Sequence, residues 1–174
     1  MPKNNPRFQA HLPFTHERWK QIVQIGDTVI DATCGNGHDT LFLAQLALDE
    51  AQGHVIAYDI QEAAIQQTKQ LLNKNLKADV LNRIHLVLGS HATLTSDIPN
   101  QSVRLIVYNL GYLPKGDKQL TTTTKSTLES VADAQRLVMI GGLISITCYP
   151  GHPEGEIEEK ALLEYVKSLD PRIW

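Results

Sequence analysis

Two short segments of this chain hold residue types that bind and orient small polar groups: Asp31-Ala-Thr-Cys-Gly-Asn-Gly-His-Asp-Thr40 and Tyr108-Asn-Leu-Gly-Tyr-Leu-Pro114. In the first, Gly35 and Gly37 fall between an apolar run, Thr28 to Thr33, and a helical pattern from Thr40 to Leu48. Glycines at a strand-to-helix turn let a ligand approach the backbone, and the free N–H groups of a helix start attract polar or anionic groups. A second apolar run, His54-Val-Ile-Ala-Tyr-Asp59, ends on a carboxylate about twenty residues further on, where a ribose diol would need an acceptor. The pattern points to a bound nucleoside, with Asp59 as its ribose ligand.

Dinucleotide-binding turns share this geometry, but they want a third small residue where Thr40 stands, to pack the helix beneath a pyrophosphate. Asp31, at the end of the first strand, suits the ammonium group of an amino-acid moiety better than a pyrophosphate. S-adenosylmethionine carries that ammonium, and S-adenosylhomocysteine would be its product. The residues expected to line the cofactor are Asp31, Gly35, Asn36, Gly37, Asp39 and Thr40 in the turn, with Asp59 beyond it. Ser90 and His91 follow a third apolar run, at a position that borders the adenine ring in this kind of fold.

Asn109-Leu-Gly-Tyr112 closes a fourth apolar run on the edge where open α/β sheets place ligands. It resembles the Asn-Pro-Pro-Tyr signature of methyltransferases that act on amino nitrogens. There the Asn side-chain oxygen and the next carbonyl accept the N–H bonds of an amine and aim its lone pair, while the aromatic ring stacks on a base. Leu110 and Gly111 stand in place of the two prolines and leave that carbonyl less rigidly fixed. The candidate catalytic group is Asn109, Leu110, Gly111 and Tyr112. Cys34 lies on the cofactor turn rather than near the fourth strand and reads as a small packing residue, as does Cys148.

The elements that must position these residues alternate. Strands are expected at 28–33, 54–60, 84–89, 103–109 and 143–149, and helices at 40–48, 62–75, 126–138 and 156–168. A further helix, from about Thr15 to Val23, precedes them, with Thr15 and Ser126 as expected N-caps. Continuously apolar strands such as Leu105-Ile-Val107 suit a parallel sheet covered on both faces, so the fold class is α/β, doubly wound and Rossmann-like. The 174 residues read as one domain, with an N-terminal helical segment over 1–26 and the α/β core over 27–174. The chain stops at Asp170-Pro-Arg-Ile-Trp174, where an α/β methyltransferase would add an antiparallel strand pair. Without that pair the fifth strand would be an open edge that invites a homodimer.

Hydrophobic content of 42% with 20% charged residues is ordinary, and no apolar run reaches the length of a membrane span. The N-terminus has no secretory apolar core, which makes the cytoplasm the expected location. Two cysteines with no Cys-x-x-Cys pair, and seven scattered histidines, indicate no metal site. A net charge of −3 excludes a uniformly basic surface but not a local basic path. Lys3, Arg7, Arg18 and Lys20 at one end, and Lys115, Lys118 and Lys125 after the Tyr112 loop, could line such a path. Glu154, Glu156, Glu158 and Glu159 suit the start of the last helix and would repel phosphate.

The segments Asp31 to Ala44, Tyr58-Asp-Ile-Gln61, Asn109-Leu-Gly-Tyr-Leu-Pro-Lys-Gly-Asp-Lys118 and Tyr149-Pro-Gly-His-Pro-Glu-Gly155 together resemble the YtqB/MnmM family, labelled rRNA methylases. The resemblance covers nearly the whole chain. It implies a class I S-adenosylmethionine-dependent methyltransferase that methylates 5-aminomethyl-(2-thio)uridine at the wobble position of a tRNA anticodon. It also implies Ile60 and Gln61 beside the cofactor, and Lys115, Gly116, Asp117, Lys118 and His152 on the substrate side. Lys115 departs from members that carry Gly there. Tyr112 and Asp117 are candidate bases for removing the amine's proton, and loss of that proton to water before binding would serve as well. Two other readings stay open: an amino-methyltransferase of rRNA or DNA, and a non-catalytic nucleoside sensor, against which the Asn109 motif speaks.

Overall fold

The structure, a computed structural model, describes residues 11–94, 97–111, 122–151 and 153–174. Five strands, β1 (Thr28–Asp31), β2 (His54–Asp59), β3 (Ile84–Leu88), β4 (Val103–Leu110) and β5 (Val138–Cys148), pair in parallel in the order β3-β2-β1-β4-β5. The helices are α1 (His11–Ile22), α2 (His38–Ala47), α3 (Glu62–Asn75), α4 (Ala78–Leu81), α5 (Thr124–Leu137) and α6 (Pro153–Ser168). The chain steps outward from β1 to β3, returns to the other side of β1, and steps outward again through β4 to β5. This is the doubly wound sheet expected from the alternation, and its winding reverses between β1 and β4. Ligands of such sheets bind in the crevice at the carboxyl ends of the strands at that reversal.

Each strand divides its side chains between two cores, because successive residues point to opposite faces. In β4, Leu105 and Val107 join Trp19, Val29, Leu43, Ala44 and Ala47 under α1 and α2. Ile106 and Tyr108 turn the other way, to Val131, Ala134 and Leu137 of α5 and Leu162 of α6. The period of two therefore sets Asn109 on the α1/α2 face. Helix α1 is anchored there by the indole of Trp19, which is buried and donates its Nε1–H to Ser145 Oγ on β5 at 3.1 Å.

Several boundaries differ from the sequence expectation. Helix α1 already includes His11, so Thr15 lies inside it, and α2 starts at His38 rather than Thr40. The N-cap of α5 is Thr123, not Ser126. Its hydroxyl accepts from the Ser126 backbone N–H while the Ser126 hydroxyl accepts from that of Thr123, a reciprocal box one turn earlier. Strand β5 begins at Val138, directly after α5, because Val138 pairs with Val103 before a register shift leads into Leu105↔Leu143. Glu158 is not a solvated helix-start charge: it is buried and accepts from the hydroxyls of Thr122 at 2.8 Å and Thr127 at 2.5 Å, joining α6 to α5. Among the described residues no helix is long and apolar enough to cross a membrane.

Trp19→Ala removes the indole that seats α1 and opens a cavity over Ser145. The substitution is expected to lower the unfolding free energy by about 3–5 kcal/mol, read from urea titration.

Candidate active site

The glycine turn is built on a carboxylate that water does not reach. Asp31, the last residue of β1, is wholly buried; Oδ2 accepts from the Thr40 hydroxyl at 2.6 Å and Oδ1 from the Thr33 backbone N–H at 3.2 Å. Burial, with Asp39 and Asp59 adding repulsion, pushes its carboxyl up to about 7. Asp31 and Thr40, both expected to line the cofactor, have their side chains buried. Both lie beneath the turn, bonded to each other, because a buried carboxylate needs donors and Thr40, on the inner side of α2, supplies one.

Asp59 ties the turn to the neighbouring strand. Its Oδ2 accepts from the Gly35 backbone N–H at 3.0 Å and Oδ1 from that of Gln61 at 2.9 Å, and the partial burial of the group raises its pKa. Gln61 is the N-cap of α3, and Ile60 is exposed beside it. Between the two strands Gly37 has φ 80°, and a Cβ there would stand 2.8 Å from the Thr68 backbone of α3. Only glycine fits a left-handed turn pressed against a helix in this way. Cys34 is buried under the same turn, receives the Thr68 hydroxyl at 3.6 Å, and has its thiol pushed well above the ordinary range by burial. The thiolate needed for nucleophilic chemistry is suppressed, in line with the packing role expected for it.

Across the reversal point, Asn109 is fixed at two places. Its backbone N–H donates to Thr33 Oγ1 at 2.7 Å, and its side-chain Nδ2 donates to Asp39 Oδ2 at 2.7 Å. A carboxylate oxygen can only accept here, so the amide nitrogen faces Asp39 and the amide oxygen faces away from it. Asp39 was expected to serve the cofactor; the structure places it in the first turn of α2, between Asn109 and His16 of α1, whose Nε2 lies 2.7 Å from Asp39 Oδ1. The His16 ring stacks on Phe42 at 4.0 Å between centroids and 12° between planes. No sequence signal marked His16, because a histidine on an N-terminal helix has no fixed spacing to a turn 23 residues away.

Leu110 is buried in the core, which leaves only its backbone to face the crevice. Gly111 has φ 150°, a conformation closed to proline, so the backbone here leaves β4 along a path that two prolines in succession could not follow. Tyr149, just past the end of β5, lies 3.8 Å from where a Gly111 Cβ would be. On the other flank Ser90 is exposed and His91 buried. The His91 ring meets Tyr108 edge-on at 6.0 Å, burial lowers its pKa to about 4, and its Nε2 has no hydrogen-bond partner among the described residues. Asn36 is half-buried on the turn. Tyr112, Lys115, Gly116, Asp117, Lys118 and His152 lie outside the described residues, as do Lys3 and Arg7. Arg18 and Lys20 engage Gln21 and Glu17 of their own helix.

Residues 55–174, more than half of the chain, match the family described as "Putative rRNA methylase". The chain belongs to that family. A putative rRNA methylase from Clostridium thermocellum is 36% identical and superposes with a TM-score of 0.84, over 92% of this chain and 83% of that one. A putative methyltransferase from Streptococcus mutans, solved in complex with SAH, is 32% identical with a TM-score of 0.78, over 92% and 83% of the two chains. The chloroplastic tRNA (mnm(5)s(2)U34)-methyltransferase of Arabidopsis thaliana is 38% identical over 163 residues, which are 91% of this chain and 60% of the plant protein.

The Asp31 carboxyl gives a checkable linkage. Its folded value of about 7 lies above its ordinary 3.8, so the stability it contributes is complete below the lower value and is lost as pH rises through the higher one. In Asp31→Asn the amide oxygen still accepts from Thr33, and Thr40 can turn its hydroxyl to accept. The variant is expected to melt higher than the parent at about pH 8, by roughly 2–4 °C per kcal/mol relieved, with the gap closing toward about pH 5. Thermal melts of both proteins across this range measure it.

Proposed function

We propose that this chain is an S-adenosylmethionine-dependent N-methyltransferase of RNA, and that its substrate is the aminomethyl group of a 5-aminomethyl-(2-thio)uridine at the wobble position of tRNA. The observation that carries the reading is the side chain of Asn109, which stands at the sheet's reversal point with its nitrogen bonded to Asp39 and its oxygen turned away from that carboxylate, where an amine N–H would meet an acceptor. The Arabidopsis relative, named for this modification, supports the choice of nucleoside. The reading puts the enzyme where tRNA is used, in the cytoplasm, and requires no metal.

The residues present fit the cofactor. The carboxyl groups of Asp31, Asp39 and Asp59 converge around the turn, and two of them already have raised pKa values. Such a site is electrically suited to a ligand with a sulfonium and an ammonium group. The Asp59 carboxylate, which accepts from backbone N–H groups including those of Gly35 and Gln61, has lone-pair capacity left for a ribose diol. The His91 Nε2, which has no partner among the described residues, is assigned to the edge of an adenine, and Ser90, Ile60 and Gln61 are assigned to the same part of the cofactor. Asp31 then acts from beneath the turn, as a charge rather than as a contact.

When bound, S-adenosylmethionine supplies an electrophilic methyl group. The chain's own work concerns the nucleophile. An alkyl ammonium has no lone pair, so the site must hold the neutral amine. Asn109 Oδ1 accepts one of its N–H bonds and directs the nitrogen, and the backbone carbonyl of Leu110 offers a second acceptor. The Tyr112 ring is assigned to stack on the base, and Lys115, Gly116, Asp117, Lys118 and His152 to the anticodon side of the substrate. A second reading, rRNA as the polymer, is favoured by the family's description.

Incubation with radiolabelled S-adenosylmethionine and separated tRNA and rRNA from a strain deleted for this gene, followed by nucleoside mass spectrometry, tests both. Methylated 5-aminomethyl-uridine in the tRNA is the expected product, and label confined to rRNA would replace the reading. Asn109→Ala is expected to lower single-turnover rate on the order of a hundredfold with S-adenosylhomocysteine affinity unchanged. Asp59→Ala should instead weaken that affinity by about 1.5–3 kcal/mol, measured by calorimetry.

A further inference from the structure

Asn109 Oδ1 can direct an amine only if the amide does not rotate. A free asparagine amide turns about χ2 with little resistance, since that torsion is broad and nearly two-fold, and the turned state would present two donors to the substrate nitrogen instead of an acceptor. The structure removes this freedom through a chain of contacts that starts outside the α/β core. Phe42 carries the His16 ring in a parallel stack, Trp19 tilts against the same ring at 5.0 Å, and His16 Nε2 reaches Asp39 Oδ1 at 2.7 Å. Asp39 Oδ2 then takes the Asn109 Nδ2–H at 2.7 Å. The two oxygens of one carboxylate thus face two different elements, α1 and β4, and the carboxylate is largely shielded, its side chain 14% exposed. Shielding strengthens both hydrogen bonds relative to water.

We propose that His16 and Asp39 are positioning residues for methyl transfer: together they lock the Asn109 amide in the rotamer that accepts from the substrate amine, which makes helix α1 part of the active site. The inference rests on the methyl-transfer reading for its consequence, but not for its geometry. His16 contributes twice. It donates to Oδ1 of the carboxylate, and its stack on Phe42 holds the donor in place, so that Oδ2 stays turned to Asn109. The docking of α1 by Trp19 onto Ser145 sets how far His16 reaches, and the position of the helix therefore translates into the orientation of an amide on β4.

The test compares the parent with Asp39→Asn, His16→Ala and His16→Gln, the last retaining a side-chain N–H that can reach the carboxylate. Single-turnover methylation of tRNA from the deletion strain at saturating cofactor, calorimetry with S-adenosylhomocysteine, and thermal melts are run on each. His16→Ala is expected to lose on the order of 10- to 100-fold in rate while cofactor affinity holds, His16→Gln to recover most of the loss, and Asp39→Asn to lose at least as much rate at saturating cofactor, with S-adenosylhomocysteine affinity also falling because a negative charge beside the turn is removed. The side-chain amide protons of Asn109, assigned in the NMR spectrum by their disappearance in Asn109→Ala, should move in Asp39→Asn and His16→Ala. Unchanged rates in a parent that methylates tRNA, or a loss explained by cofactor affinity or melting temperature alone, would overturn the proposal. So would unmoved Asn109 amide signals, a readout that holds even if the parent methylates nothing and the functional reading itself has failed.

Discussion

The burial of the Asp31 carboxylate is the constraint on which the site's geometry depends. A carboxyl group with no access to water must be given donors by its neighbours, and the only way to bring Thr33 and Thr40 to it at once is to fold the intervening residues into a tight reversal. That reversal forces Gly37 into a left-handed conformation against α3, aims the start of α2 across the crevice, and sets Asp39 opposite Asn109. Thr33, bonded to Asp31 through its backbone, uses its hydroxyl to take the Asn109 N–H. One buried charge thus couples β1, α2 and β4, and the coupling is paid for by a carboxyl displaced far from its ordinary titration range.

The same concentration of negative charge opposes folding and favours binding. Asp39 and Asp59 repel Asp31 in a partly dehydrated space, and a cationic ligand would relieve that repulsion. In the proposed function, charge that opposes folding would favour a ligand that carries a sulfonium. A pyrophosphate in the same place would add to the repulsion, and this is the physical basis for preferring an amino-acid nucleoside to a dinucleotide.

Much of this was legible in the sequence because it is local. Apolar runs, glycines and strand-end polar residues mark the sheet order and the two segments at its edge, and the doubly wound alternation follows from periodicity alone. Other features depend on contacts across the fold. The bond from the Thr40 hydroxyl to Asp31 is one, since it depends on how α2 turns Thr40 inward. Ser126 reads as an N-cap by residue type, yet Thr123 holds that place because Ser126 itself supplies the return bond. The early start of β5 rests on Val138 meeting Val103, a pairing between distant segments, and the short α4 has too few residues for any period to emerge. His16 was invisible for the same reason: its importance comes from the docking of α1, which no spacing in the sequence encodes.

The alternation of β4 has a consequence for how this chain can vary in length. Tyr108 and Asn109 are adjacent in sequence but serve opposite faces, one in the α5 core and the other at the crevice. Losing or gaining a single residue between Leu105 and Asn109 would exchange their places, driving an amide into an apolar core and a phenol into the crevice. The strand's irregularity in pairing with β5 lies between Val103 and Leu105, before this run, and from Leu105 to Leu110 the register is unbroken. Insertions and deletions are thus tolerable at the amino end of the strand and ruinous over its last turns of pleat, so that descendants of this sequence can drift in composition there but not in residue count.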